Sequence, residues 1–157
     1  SESGSGTSVK VYMPRIEEAS SSAAAVCNET IPTGTERVLV VDDEEMISTM
    51  LQMILQSLGY QATRSCNSLE ALALIEQAPN AFDLLITDMT MPHLTGFELA
   101  QKVLAIRPEL PIILCTGFSE LINKEQAQAL GLQAYLMKPV SVRELGQTVR
   151  RVLDVKK

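Results

Sequence analysis

From Glu36 onward the chain alternates short apolar runs with stretches whose apolar residues recur at helical spacing, and this alternation most narrows what it can fold into. The run RVLVV (37–41) ends at four acids, Asp42 to Glu45. Met46, Ile47, Met50, Leu51, Ile54, Leu55 and Leu58 then mark one face of a helix that Gly59 stops. Residues 61–65 are a weaker, more polar strand, expected at a sheet edge, followed by a helix over 69–76 that Pro79 closes. DLLITDMTMPHLTG (83–96) opens on a branched apolar run too short for a helix, which reads as a buried parallel strand with Asp88 at its carboxyl end. Thr95 and Glu98 form a capping box for a helix through Leu99, Ala100, Val103 and Leu104 that Pro108 ends. A strand over 111–115, a helix over about 119–130 broken by Gly131, a strand over 134–137 and a last helix complete the series. Ser141 and Glu144 are a second capping box, and Val142, Leu145, Val149, Val152 and Leu153 share one face of that helix. Arg150, Arg151 and Lys156 stand near its negative end.

Five βα units in about 120 residues fit one doubly wound α/β domain, with right-handed crossovers placing helices on both faces of a parallel sheet. The strands end in polar residues: Asp42 and Asp43 after the first, Asp88 after the third, Thr116 after the fourth and Lys138 after the fifth. These groups point to one edge, the edge at which open α/β sheets bind ligands.

Composition limits what that edge can bind. The net charge of −6 and pI near 4.8 exclude a basic surface for nucleic acid, and an acidic cluster suits a cation. Cys27, Cys66 and Cys115 lack the spacing of a zinc site and are expected to be free thiols of a reducing cytosol. With few aromatics and no tryptophan, the interior must be filled by Leu, Ile, Val, Ala and Met, and the seven methionines read as core filler. No stretch approaches the roughly 20 apolar residues of a membrane span and none resembles a signal peptide, so a cytoplasmic chain is expected, making no membrane contact itself. The first residue is Ser rather than Met, and the chain is expected to be a fragment of a longer one.

Three carboxylates converging on one spot stay ionised only beside a compensating cation. Oxygen-only ligands select a hard ion, and Mg²⁺ fits best because it keeps waters for an incoming phosphate. The ammonium of Lys138 and the hydroxyl of Thr116 suit the oxygens of a phosphoryl group. Asp42 and Asp43 are a pair suited to holding metal, whereas Asp88 stands alone on the central strand as the candidate nucleophile. Taken singly, Asp43 reads as a helix cap, Lys138 as a surface lysine and Thr116 as a turn residue; their joint placement at strand ends favours chemistry. His93, the only histidine, reads as a solvated loop residue.

Residues 36–155 resemble the receiver domain of two-component response regulators. The similarity rests on VVDDE (40–44), ITDMTMP (86–92) with Gly96, CTG (115–117) and Lys138-Pro139, at the intervals of that family. It implies a flavodoxin-like (βα)₅ three-layer sandwich with strand order 2-1-3-4-5. It also implies that Asp88 accepts a phosphoryl group from a phosphohistidine, and that Asp42, Asp43, Asp88 and the backbone carbonyl of Thr90 hold Mg²⁺. Lys138 would pair with the phosphoryl oxygens, Thr116 would move to hydrogen-bond them, and Tyr135 matches the aromatic that swings inward. Phosphorylation would then bias a two-state surface made by the helix over 119–130, the fifth strand and the last helix. The Thr90 side chain sits where dephosphorylation rate is tuned. The implied partners are a histidine kinase or a histidine phosphotransfer protein.

Residues 1–16 are similar to the last glycine box and closing strand of a histidine-kinase ATPase domain, on Gly4, Gly6, Thr7, Val11, Tyr12 and Pro14. Residues 17–35, rich in Ala and Ser and ending in IPTGT, read as a linker. Together they imply a receiver fused behind the core of a hybrid sensor histidine kinase. Two alternatives stand beside a phosphoacceptor that catalyses its own phosphorylation. One is an aspartyl-phosphate hydrolase, which usually needs a second acid where this chain has Thr90. The other is a docking module that regulates a kinase core without being phosphorylated.

Overall fold

The computed structural model describes Lys10, residues 30–117 and residues 132–155. Lys10 apart, the similarity over 1–16, the linker through residue 29, the helix expected over 119–130, Cys27 and Lys156 lie outside the described residues. The elements are β1 (Arg37–Val41), α1 (Glu45–Ser57), β2 (Gln61–Ser65), α2 (Ser68–Gln77), β3 (Leu84–Asp88), α3 (Gly96–Ile106), β4 (Ile112–Thr116), β5 (Ala134–Met137) and α4 (Val142–Asp154). All strand pairs are parallel, in the order β2-β1-β3-β4-β5. The polar β2 lies at an edge, and β3 and β4 are buried along their whole length.

The two-residue period of the strands divides the core between the faces of the sheet. Val38, Val40 and Ile86 pack with Leu51 and Leu55 of α1 and with Leu145 and Val149 of α4. Leu39, Val41 and Leu85 pack on the other face with Ala71 and Ile75 of α2 and with Leu99 and Val103 of α3. Helices thus cover both faces, as right-handed crossovers require.

Local signals set the helix boundaries. Thr95 and Glu98 close the predicted capping box, with Glu98 N–H on Thr95 Oγ1 at 3.2 Å and Thr95 N–H on the Glu98 carboxylate at 2.9 Å. Ser141 Oγ likewise accepts from Glu144 N–H at 3.2 Å. The cap of α2 is Asn67, whose Oδ1 accepts from Leu69 N–H at 2.9 Å. Gly59 takes a left-handed φ of 93° directly after α1. His93 is exposed with a φ of 69°, in the loop where the sequence places it.

The methionines depart from expectation. Met91 is buried, but Met46, Met50, Met53 and Met137 are 85%, 43%, 65% and 49% exposed, so most described methionines are not core filler. The reason is the helical period: Leu51 and Leu55, with Leu58 just after the helix, already fill the face of α1 toward the sheet, which turns Met46 and Met50 outward. Val142 of α4 is also half exposed, one residue into its helix. A further finding concerns residues 31–35, assigned to the linker by composition. Ile31 packs against the core, and Gly34 N–H donates to Leu58 O at 3.1 Å.

The amino end of the sheet is tied by charge. Asp83 accepts from Arg37 Nη2, Nε and the Arg37 backbone N–H at 2.9, 3.0 and 2.9 Å. The Arg37 guanidinium holds the Asp83 carboxyl below the usual range against the opposing effect of burial. A lowered folded value stabilises the fold above the unfolded value of about 3.9 and is lost as pH falls through the folded one. Asp83→Asn is expected to cost about 0.5–1 kcal/mol at neutral pH, and urea unfolding across acid pH should show the gap to wild type closing below about pH 4. A gap that persists unchanged at pH 2–3 would contradict this assignment.

Gly96, the first residue of α3, is set against the backbone of β3. A Cβ there would be driven into the Asp88 carbonyl and lie 3.0 Å from Leu114 Cδ2. Because a backbone group cannot yield as a side chain does, Gly96→Ala is expected to cost about 1–3 kcal/mol in chemical denaturation.

Candidate functional site

The polar residues that end β1, β3, β4 and β5 meet at the carboxyl edge of the sheet. Asp88 closes β3 and pairs in register with Cys115 of β4, one residue before Thr116. Asp42 follows β1, with its N–H on Ser65 O at 3.3 Å. Lys138 follows β5, with its N–H on Thr116 O at 2.9 Å. Asp88 is thus held within its strand, and Asp42 and Lys138 by ladders that continue past the ends of theirs.

Lys138 is the link between the acids. Its Nζ lies 2.9 Å from Asp42 Oδ2 and 2.5 Å from Asp88 Oδ1. Asp42 and Asp88 are buried, at 1% and 8% exposure, so the ammonium interacts with both in a poorly solvated pocket. Burial pulls the Lys138 value down, but the bonds from Asp88 and Asp42 outweigh it and leave the lysine more basic than usual. Burial pushes the Asp42 carboxyl up, opposed by Lys138 and by the Glu44 N–H at 3.0 Å. Asp43 is exposed and does not cap α1, whose N-cap residue is Glu44, without any side-chain cap bond. That removes the simplest structural role for Asp43.

Oxygens of Asp42, Asp43 and Asp88 all lie within 4.8 Å of one another. Three carboxylates here face one ammonium, so the donor set is hard, oxygen-only and negatively unbalanced. That chemistry fits a divalent cation such as Mg²⁺.

The loop after β3 presents the rest of the site. Thr90 is exposed, and its backbone N–H donates to Asp88 Oδ2 at 3.2 Å. Met89 N–H donates to Cys115 O at 2.8 Å and Gly96 N–H to Met89 O at 2.9 Å, so the loop is anchored on both sides. Thr116 is buried, with Oγ1 on Gly117 O at 3.2 Å. Burial pushes the Cys115 thiol up to about 12, which leaves it unreactive. Tyr135 lies two residues before the end of β5, against the same core face as α2 and α3. Its hydroxyl is buried with no partner among the described residues.

The structure thus joins Asp42, Asp43, Asp88 and Lys138 directly, sets Thr116 and Thr90 beside them along the chain, and leaves Tyr135 further down β5. Two contributions escaped the sequence reading. The Thr90 amide touches Asp88, and Gly96 permits the close approach of α3 to the Asp88 carbonyl. The sequence signal for the second was a glycine directly after a threonine helix cap.

Comparison with known proteins agrees with this geometry. Residues 38–150 match the response regulator receiver domain. The chain is 30% identical over 162 residues to the sensor kinase CckA of Brucella abortus, covering 98% of this chain and 17% of that protein. It is 35% identical to the probable transcriptional regulator ycf27 of Cyanidium caldarium, covering 74% of this chain and 45% of the relative. The chain therefore spans less than half of either protein. A crystal structure of a response regulator receiver domain protein from Clostridium thermocellum superposes with a TM-score of 0.73 at 30% identity, covering 77% of this chain and 96% of that one. The matched residues include every strand that delivers a polar group to the carboxyl edge, and the chain belongs to the response regulator receiver domain family.

Proposed function

We propose that this domain accepts a phosphoryl group on Asp88 from the phosphohistidine of a histidine kinase or histidine phosphotransfer protein. The observation that carries the reading is the Lys138 ammonium shared by Asp42 and the strand-end Asp88. In the transfer, an Asp88 carboxylate oxygen forms a bond to phosphorus as the phosphorus–nitrogen bond to the donor imidazole breaks. The imidazole leaves with the electron pair and takes up a proton. Lys138, already held at the carboxylate, passes to the phosphoryl oxygens and neutralises their charge. Thr116 turns its hydroxyl toward the same oxygens, and Tyr135 responds by moving inward, which biases the adjoining surface. Asp42, Asp43, Asp88 and the Thr90 carbonyl would hold Mg²⁺, which supplies charge neutralisation for the phosphoryl oxygens.

We place the domain in a hybrid sensor histidine kinase, behind an ATPase domain ending near residue 16 and a linker over 17–35, on the cytoplasmic side. Two observations support this. Residues 1–16 carry the glycine-box similarity, and the alignment with the Brucella sensor kinase extends through most of the chain ahead of residue 36. Among the described residues no helix is long and apolar enough to cross a membrane.

Incubation with acetyl phosphate and Mg²⁺ is expected to add the mass of one phosphoryl group to the wild-type chain and none to Asp88→Asn. Lys138→Ala should slow the gain by about 10²-fold, the usual effect of losing one charge-stabilising donor. Absence of any gain in wild type would overturn the reading. Binding of Mg²⁺ should also raise unfolding free energy, by about 2.7 kcal/mol at a hundred times Kd. Thermal melts of Asp42→Asn should show most of that increment gone.

A further inference from the structure

The segment immediately before β1 lies in a seat that the domain builds for it. Ile31 packs on the core cluster shared by α1 and α4. Beneath it is Gly146, in the interior of α4, where a Cβ would stand 2.5 Å from Ile31 Cγ2 and 3.2 Å from Leu58 Cδ1. Glycine is unfavourable in a helix interior, and here the missing methyl is the space that Ile31 occupies. Three residues on, Gly34 N–H donates to Leu58 O at 3.1 Å, and its carbonyl approaches Gly59 so closely that a Cβ there would lie 2.6 Å away. Gly34 itself is pressed against the Tyr60 ring. The segment is closed by Glu36, whose carboxylate meets Arg150 Nη1 at 2.8 Å, one helical turn after Gly146 on the same face of α4. A solvated linker needs none of these fittings.

α4 joins this seat to the site. It begins four residues after Lys138, and its Leu145 and Val149 pack in the same cluster as Leu136 of β5. A shift of Lys138 toward a phosphoryl group would act on the loop that leads into α4, and Gly146 and Arg150 would move with that helix.

We propose that residues 31–36 form a strap docked on Gly59, Gly146 and Arg150, and that α4 transmits the phosphorylation state of Asp88 to it. The partner of this surface is the chain's own connecting segment. The coupling rests on the phosphoacceptor reading, whereas the docking does not.

Amide hydrogen exchange at Gly34, followed by NMR on the full chain, tests both. Gly146→Val should raise exchange at Gly34 by about tenfold or more while leaving the Ile86 amide of β3 protected. Ile31→Ser, which leaves α4 intact, should do the same should Gly146→Val fail to fold. Unchanged Gly34 exchange in Ile31→Ser would overturn the docking. Acetyl phosphate with Mg²⁺ should change Gly34 exchange several-fold in wild type and not in Asp88→Asn. A phosphoryl mass gain with unchanged Gly34 exchange would overturn the coupling alone. No mass gain would overturn the phosphoacceptor reading and the coupling with it, leaving the docking result standing.

Discussion

The site depends on one buried ammonium held between two buried carboxylates. Asp42 and Asp88 are brought together by adjacent parallel strands, and without a cation between them their charges would repel in a pocket that water scarcely reaches. Lys138 supplies one positive charge, and Asp43 adds a third negative one at the rim. The raised Asp42 value reflects the burial that this arrangement requires. Three carboxylates against one ammonium leave the pocket with an excess of negative charge, which is the electrostatic condition for taking up a further cation.

The backbone makes that arrangement possible. Asp88 is fixed by a strand buried from end to end, so its position is not negotiated by solvent. The return of the chain through Met89 and Gly96 presses α3 against the Asp88 carbonyl, and the loop in between aims the Thr90 amide at the carboxylate. Lys138 arrives through the backbone bond to Thr116, so lysine and threonine share one support. The same continuity carries through Pro139 and Val140 into α4, where Gly146 and Arg150 hold the segment that enters the domain.

Much of this is legible in the sequence. Strand and helix periods differ sharply in this chain, and each helix start with a threonine or serine followed three residues later by glutamate appears where the spacing places it. The edge position of β2 follows from its polarity, since a strand flanked on both sides would need apolar residues on both faces. The methionines show where such reasoning falls short. Periodicity says which residues share a face of α1 but not how wide the buried stripe is, and the leucines left no room for Met46 and Met50. In residues 31–35, IPTGT, a single isoleucine carries no periodic signal, so the packing of Ile31 is visible only in the structure.

What the sequence alone determined is the succession of βα units and the presence of acids, a hydroxyl and a lysine at strand ends, because these are set by local period and by residue type. The tertiary structure decided which of those groups touch. Only the parallel register places Lys138 on Asp42, 96 positions away, and on Asp88, rather than in solvent. It also decided that Asp43 is no helix cap, that Gly96 is a contact surface and that Gly146 is a vacancy filled by Ile31. These are properties of distance between segments remote in sequence, and they arise only when the strands are laid side by side.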